Sequence, residues 1–360
     1  MRSVFEEPAQ VRPPNPDESA VRPLPVTASG VSEVLELLAQ ADGITLLRNV
    51  PLSHYTRFGI GGPADLYVET PDPARFAEAL AIVRASGLDS VVIGGGTNLI
   101  VADEGFRGVC LKLTSNRIAA DGCRVEVECG ASLQELVDFT VQRGLKGLET
   151  MTGIPGSAGA AIYGNAGAYG HSIQERIRNV RFLDSSSDAG EAVREFTNSE
   201  CGFHYRESIF KRNKAWIILS AVLDMEPGDP DQLRETADRI LSTRNRKYPP
   251  SMRCAGSIFK NFLLSELPPH LAAEVPSTAI IEGKVPSAWF LEQVGAKGMK
   301  RGGIEVADYH ANLIYNGGGG TARDLVSIVN ELKERVWQRW GIPLEEEVQY
   351  VGFARSARHA

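Results

Sequence analysis

Residues 90–101 read Ser90-Val91-Val92-Ile93-Gly94-Gly95-Gly96-Thr97-Asn98-Leu99-Ile100-Val101, an apolar strand running into three glycines. Glycines let a backbone approach a ligand closely, and successive N–H groups in such a turn form a concave nest for an anion. Thr97 and Asn98 add side-chain donors. The spacing is neither GxGxxG nor a Walker P-loop, which disfavours a Rossmann or nucleoside-triphosphatase site. Taken alone, a tight turn explains the glycines equally well.

The surroundings alternate helix and strand. Phe76, Leu80 and Val83 recur at helical spacing within 71–86, and Gly87 follows as a stop. Residues 108–113 and 124–129 read as strands. Ser132 and Glu135 form a capping box ahead of Leu133, Leu136, Val137 and Val141 in a helix over 132–143. Strands are expected at 177–184 and 216–225, and an amphipathic helix at 229–242 with Leu233, Ile240 and Leu241 on its apolar side. The clearest helix spans 321–340, with Thr321 as cap, Asp324 at the third position and Gly341 as stop. A last strand, EEVQYVGF (346–353), closes the chain. The class is α+β, with no repeat at a solenoid period.

Composition narrows the options. At 360 residues the chain is long enough for about two domains. A 43% hydrophobic and 23% charged make-up excludes a wholly disordered chain or a disulfide-stapled scaffold. The net charge of −7 and the lack of a dense Lys/Arg run argue against a nucleic-acid partner. Five cysteines (110, 123, 129, 201 and 254) form no CxxC pair, so buried free thiols are expected, with no metal site. The N-terminus has no apolar signal region and no stretch is long enough to span a membrane. Residues 1–26, rich in Pro and charge, read as a flexible tail, and the protein as soluble and cytoplasmic.

Four further motifs carry chemistry. The stretch from Gly153 through Ile154, Pro155, Gly156, Ser157 and Gly159 to Gly170 holds no Lys, Arg, Asp or Glu. A long loop of small residues suits a backbone wrapped around a large flat ligand. Tyr205-Arg206-Glu207-Ser208-Ile209-Phe210-Lys211 places an Arg beside an aromatic, able to clamp a carboxylate. Ala255-Gly256-Ser257-Ile258-Phe259-Lys260-Asn261 holds a Ser that could exchange a proton in a dry pocket. It is not the esterase G-x-S-x-G. Glu345, Glu346 and Glu347 alternate sides of a strand, so at least one can face inward.

Each motif is ambiguous singly, but their order is not. GGGTNLIV, GIPGSAGAAIYGNAGAYG, YRESIFK, AGSIFKN, GAKGMKRGG and LEEEV, over residues 45–353, together resemble the UDP-N-acetylenolpyruvoylglucosamine reductase family of peptidoglycan precursor synthesis. The YR-x-S-x-F-K and A-G-S-x-F-K-N pairs carry most of that specificity. The resemblance implies a two-lobed FAD-binding domain of the vanillyl-alcohol oxidase type over 27–226, completed by a strand at 341–355. It implies a substrate domain over 227–340. Non-covalent FAD would meet Tyr55, Thr56, Arg57, Gly61, Gly94 to Asn98 and the Gly153–Gly159 loop. NADPH would be the hydride donor. UDP-N-acetylglucosamine enolpyruvate would be the acceptor, reduced to UDP-N-acetylmuramate. By motif matching, Ser257 gives the proton while Arg206 and Glu347 stabilise the intermediate. Tyr205, Lys260, Asn261, Lys297 and His310 fall on the substrate side, and a cation such as Lys260 could polarise Ser257. A monomer is expected.

The short stretch between Arg206 and Ser257 resembles the family's second subtype, without a substrate-closing tyrosine. Residues 262–288 look like an insertion, either covering the substrate mouth or forming a passive flap. Two other readings compete. A covalent-flavin oxidase would call for a tethering His, absent from the GGGTN turn and the GIPGSAGA loop. A non-catalytic binding protein would have lost Arg206, Ser257 or Glu347, and all three are present.

Overall fold

The computed structural model describes residues 28–186 and 192–354; the expected N-terminal tail lies outside them. Among the described residues, three sheets of four or five strands build the fold, with four two-stranded ribbons beside them. The first has strand order Thr45–Pro51, Pro63–Thr70, Phe106–Leu113, Ser90–Val92, antiparallel at its first pair and parallel thereafter. The second is a five-stranded antiparallel sheet ordered Ala192–Thr197, Ile177–Asp184, Trp216–Asp224, Arg124–Glu128, Ile118–Asp121. The third orders Cys254–Ser257, Leu313–Asn316, Ile304–Val306 and Lys300–Arg301, all antiparallel.

One apolar core joins the first two sheets, drawing Phe76, Leu80 and Val83 from the Pro73–Ala85 helix and Leu133, Leu136 and Val137 from the Leu133–Gln142 helix. The capping box of Ser132 and Glu135 forms as expected, closing two orphan N–H groups at that helix start. A second core surrounds the Ala322–Trp340 helix, whose Leu325, Ile328, Val329, Leu332 and Val336 are buried. Thr321 and Asp324 make its capping box, and Gly341 ends it at φ +67°. Burying each such aliphatic side chain contributes about 2 kcal/mol.

Two links carry the chain between these cores. Gln349–Val351 returns to pair in parallel with Leu99–Val101, directly after the glycine turn. Phe58, Ile60 and Ile100, from the first part of the chain, are buried in the second core.

Several elements differ from the sequence reading. The loop over 151–170 contains a helix, Ala158–Tyr163, whose start is capped by Ser157. Its residues are too small to show an apolar stripe. The helix expected at 229–242 runs from Pro230 to Lys247. The 262–288 segment is no passive flap. It forms a Pro269–Glu274 helix and buries Leu267, Leu271 and Val275 in the second core. Four of the five cysteines are buried free thiols, whereas Cys123, beside the Gly122 turn, is exposed. Burial pushes the Cys110, Cys129 and Cys201 thiols up to about 12. Among the described residues no helix is long and apolar enough to cross a membrane, and no His/Cys/Asp/Glu group could hold a metal ion.

Candidate functional site

Three glycine-bearing segments interlock to form one wall. In the Gly94–Asn98 turn, Gly96 has φ +64°, and a Cβ there would lie 1.8 Å from the Tyr55 carbonyl oxygen. Only glycine fits that approach. A Cβ on Gly95 would meet the Gly156 backbone at 3.0 Å. The Arg57 N–H donates to the Gly96 carbonyl at 3.1 Å, and Thr97 Oγ1 to the Pro155 carbonyl at 3.2 Å. Tyr55, Thr56 and Arg57 thus meet Gly94–Asn98, which in turn meets Pro155–Ser157, while Gly61 packs against Val101 just beyond the turn. The N–H groups of Gly94, Gly95, Gly96, Thr97 and Asn98 find no acceptor among the described residues. Successive open donors in a glycine turn suit an anion.

Gly94–Asn98, with Ser157 and Gly159, bounds a cavity of about 560 Å³, whereas Tyr55, Thr56, Arg57, Gly61 and Gly153–Gly156 stand behind that wall and do not line it. Val91 and Val92 line it from the first sheet, Trp216 and Ile218 from the second, with Arg206 and Glu347 also on its surface. Mostly apolar walls, an anion nest and cations such as Arg84 and Lys211 suit a long, partly aromatic, anionic ligand.

Arg206 is held from several sides. Its Nε donates to Glu347 Oε1 at 2.8 Å and its Nη2 to the Gly167 carbonyl at 3.0 Å. Its guanidinium also lies 5.3 Å from the Tyr205 ring centre. Its backbone is left-handed, φ +57°, a conformation that costs a non-glycine residue about 1–2 kcal/mol.

The three consecutive glutamates have separate partners. Glu345 pairs with Lys260, Glu346 with Lys333 at 3.0 Å, and Glu347 with Arg206. Asn98 does more than offer a donor to a ligand. Its Nδ2 donates to the Glu347 carbonyl at 2.9 Å, so the glycine turn aims that glutamate.

Ser257 ends its strand one residue before Ile258, whose carbonyl accepts the Glu347 N–H at 2.7 Å. The Ser257 hydroxyl lies 3.5 Å from the Tyr248 hydroxyl. Lys260 is not its partner. The lysine is buried and its Nζ donates to Glu207 Oε1 at 3.1 Å and to Glu345.

Tyr205 and Asn261 line a second cavity of about 330 Å³ with Arg206, and the Tyr205 hydroxyl accepts the Asn261 N–H at 3.3 Å. Ile281, Glu282 and Lys284 of the 262–288 segment form its other side, with the Lys284 ammonium 5.2 Å from the Tyr205 ring centre. Ser257, Lys260, Lys297 and His310 line neither cavity. Lys297 pairs with Glu292 at 2.9 Å. Burial, then the nearby charge of Lys247, pushes His310 down to about 4, and its Nδ1 is buried without a hydrogen-bond partner.

Arg244 and Tyr248 belong to this region and were not singled out from the sequence. Arg244 packs against Gly153, and burial holds its guanidinium below the usual arginine range, with Arg57 and Arg206 close enough to add repulsion. Its Nε is buried without a partner. The only sequence signal was a run of cations at the end of a long amphipathic helix.

Residues 64–193 match the model of the FAD binding domain, and residues 248–351 that of the UDP-N-acetylenolpyruvoylglucosamine reductase C-terminal domain. A reductase of that name from Solibacter usitatus is 59% identical over 88% of this chain and 99% of its own length. The chain belongs to the UDP-N-acetylenolpyruvoylglucosamine reductase family. The Bacillus subtilis reductase is 31% identical over 89% of this chain and 99% of its own. The crystal structure of the Thermus caldophilus reductase superposes with a TM-score of 0.66 at 26% identity, covering 86% of this chain and 99% of that one. The expected α+β fold, with its FAD-binding part followed by a reductase C-terminal part, is the fold of this family.

Proposed function

We propose that the chain reduces UDP-N-acetylglucosamine enolpyruvate to UDP-N-acetylmuramate, using NADPH and non-covalently bound FAD. The observation that carries this reading is the Arg206–Glu347 pair at 2.8 Å, set on the same cavity as the open N–H groups of Gly94–Asn98. FAD, when bound, supplies a two-electron carrier between NADPH and the vinyl carbon of the acceptor. The Gly94–Asn98 amides would hold its pyrophosphate, with Tyr55, Thr56, Arg57, Gly61 and the Gly153–Gly159 loop as the rest of the cradle.

The chain's own side chains divide the remaining work. Adding hydride to an enolpyruvyl ether builds negative charge on the substrate carboxylate. The Arg206 fork meets that charge, and its bonds to Glu347 and the Gly167 carbonyl hold it ready beforehand. Glu347, aimed by Asn98, sits beside the same developing charge. Ser257 supplies the proton to the neighbouring carbon. A serine hydroxyl is a weak acid, so its orientation counts, and Tyr248 is the hydroxyl within reach of it. Tyr205 and Asn261, bounding the second cavity, face the substrate. Lys297 and Lys247 flank a neutral His310 imidazole, and these two lysines make a cationic corner suited to the substrate's diphosphate, with the imidazole as a neutral hydrogen-bonding group beside it.

We assign residues 27–226 with 341–355 to the FAD-binding part and 227–340 to the substrate part. The reading places the protein in the cytoplasm as a monomer, with no nucleic-acid partner.

Replacing Ser257 with Ala tests the proton assignment. Flavin reduction by NADPH should stay at the wild-type rate, while reoxidation by the enolpyruvyl substrate slows by about 100-fold or more. Equal slowing of both half-reactions would remove Ser257 from the proton step.

A further inference from the structure

Lys211 and Lys260 converge on a single carboxylate oxygen. Glu207 Oε1 accepts from Lys211 Nζ at 3.0 Å and from Lys260 Nζ at 3.1 Å. Each lysine belongs to a different body of the fold. Lys211 follows Phe210, buried in the core of the first two sheets, and Lys260 follows Phe259, buried in the second core. Lys211 Nζ also donates to the carbonyl of Arg206 at 2.9 Å. That carbonyl belongs to the residue with the left-handed backbone, and reciprocal 3.1 Å bonds between the His204 and Glu207 backbones close the same turn.

The contacts form a ring. Arg206 binds Glu347, whose N–H binds the Ile258 carbonyl beside Ser257. Two residues on, the Lys260 N–H donates to the Glu345 carbonyl at 2.8 Å. The Lys260 ammonium returns to Glu207, next to Arg206.

We propose that Glu207 is a positioning residue, a clasp between the two cores whose shared carboxylate fixes Arg206 against Glu347 and Ser257. Lys260, bound to two carboxylates and only 8% exposed, is the other half of this clasp rather than a contact for the substrate. Burial disfavours a charged Glu207, yet the two lysines outweigh it and hold its carboxyl below the usual range. The assignment rests on the reductase reading.

The test follows both half-reactions by rapid-mixing absorbance in the FAD-loaded full chain, as wild type and Glu207→Gln. The variant keeps the side chain's shape and removes its charge, leaving one acceptor oxygen. Its saturating rate of reoxidation by UDP-N-acetylglucosamine enolpyruvate should fall about 10–100-fold, with flavin reduction by NADPH and FAD content unchanged. The half-saturating substrate concentration should move little, because the loss lies in orientation. Glu345→Gln, which spares the Glu207–Lys211 bond, should give the same split in smaller degree and serves if Glu207→Gln folds poorly. Unchanged reoxidation in both variants, or equal slowing of both half-reactions, would overturn the clasp. A wild-type enzyme that the enolpyruvyl substrate cannot reoxidise would instead overturn the reductase reading, and the clasp's role with it.

Discussion

At the scale of single residues, the backbone frees or binds side chains in ways the sequence leaves open. LEEEV shows three equivalent carboxylates. Only the register of the chain against 258–260 sends Glu345 to Lys260 and Glu347 to Arg206. Arg206 and Ser257 were singled out because they stand in the motifs that carry the family resemblance. Tyr248 was not, since its relation to Ser257 depends on how the chain turns between them. His310 provides a titration test. Its free value near 6.5 falls to about 4 in the fold through burial, so the unfolded chain takes up the proton first as pH drops. The resulting stability is intact above about 6.5 and is lost progressively toward about 4. His310→Gln should therefore lose about 2 kcal/mol less than wild type between pH 7 and pH 4, a discount on the full shift because the ring is partly exposed. Urea midpoints at the two pH values measure this, and parallel losses would mean that His310 is not the titrating group.

Among the elements, those with a chemical start signal were read correctly and those without were missed. The Leu133–Gln142 and Ala322–Trp340 helices announce themselves by capping boxes. The Ala192–Thr197 strand is an edge strand, exposed at nearly every position, and has no apolar alternation to reveal it. Pro63–Thr70 lies between two partners and is buried on both faces over much of its length, so it alternates poorly. The Ala322–Trp340 helix also carries a cap the sequence could not show. Asp103, from the loop after Leu99–Val101, accepts the Ala322 N–H at 2.7 Å and the Arg323 N–H at 3.0 Å. A carboxylate there offsets both the orphan donors and the helix dipole. Asp103→Ala should cost about 1–2 kcal/mol in denaturant unfolding. Replacing Glu104, its neighbour, whose exposed carboxylate pairs with Arg323 at 3.7 Å, should cost little by comparison. Equal effects at both positions would show that the cap adds nothing.

For the whole molecule, the returning C-terminal strand explains why the site needs nearly the full chain. Gln349–Val351 seals against Leu99–Val101, so Glu347 arrives beside the glycine turn from about 250 residues away in sequence. The fold class and the order of motifs were visible in the sequence. Cross-chain contacts such as the Glu207 clasp and the Asp103 cap were not, because periodicity and spacing report local structure alone. The central claim is that this one cavity holds FAD and passes hydride from NADPH to an enolpyruvyl nucleotide sugar. The visible spectrum of the purified protein tests it under anaerobic conditions, with slight excess NADPH added first and UDP-N-acetylglucosamine enolpyruvate second. The account predicts a yellow protein that bleaches with NADPH and regains its colour with the sugar nucleotide. Bleaching without recovery, or a colourless protein that cannot be reconstituted with FAD, would contradict it.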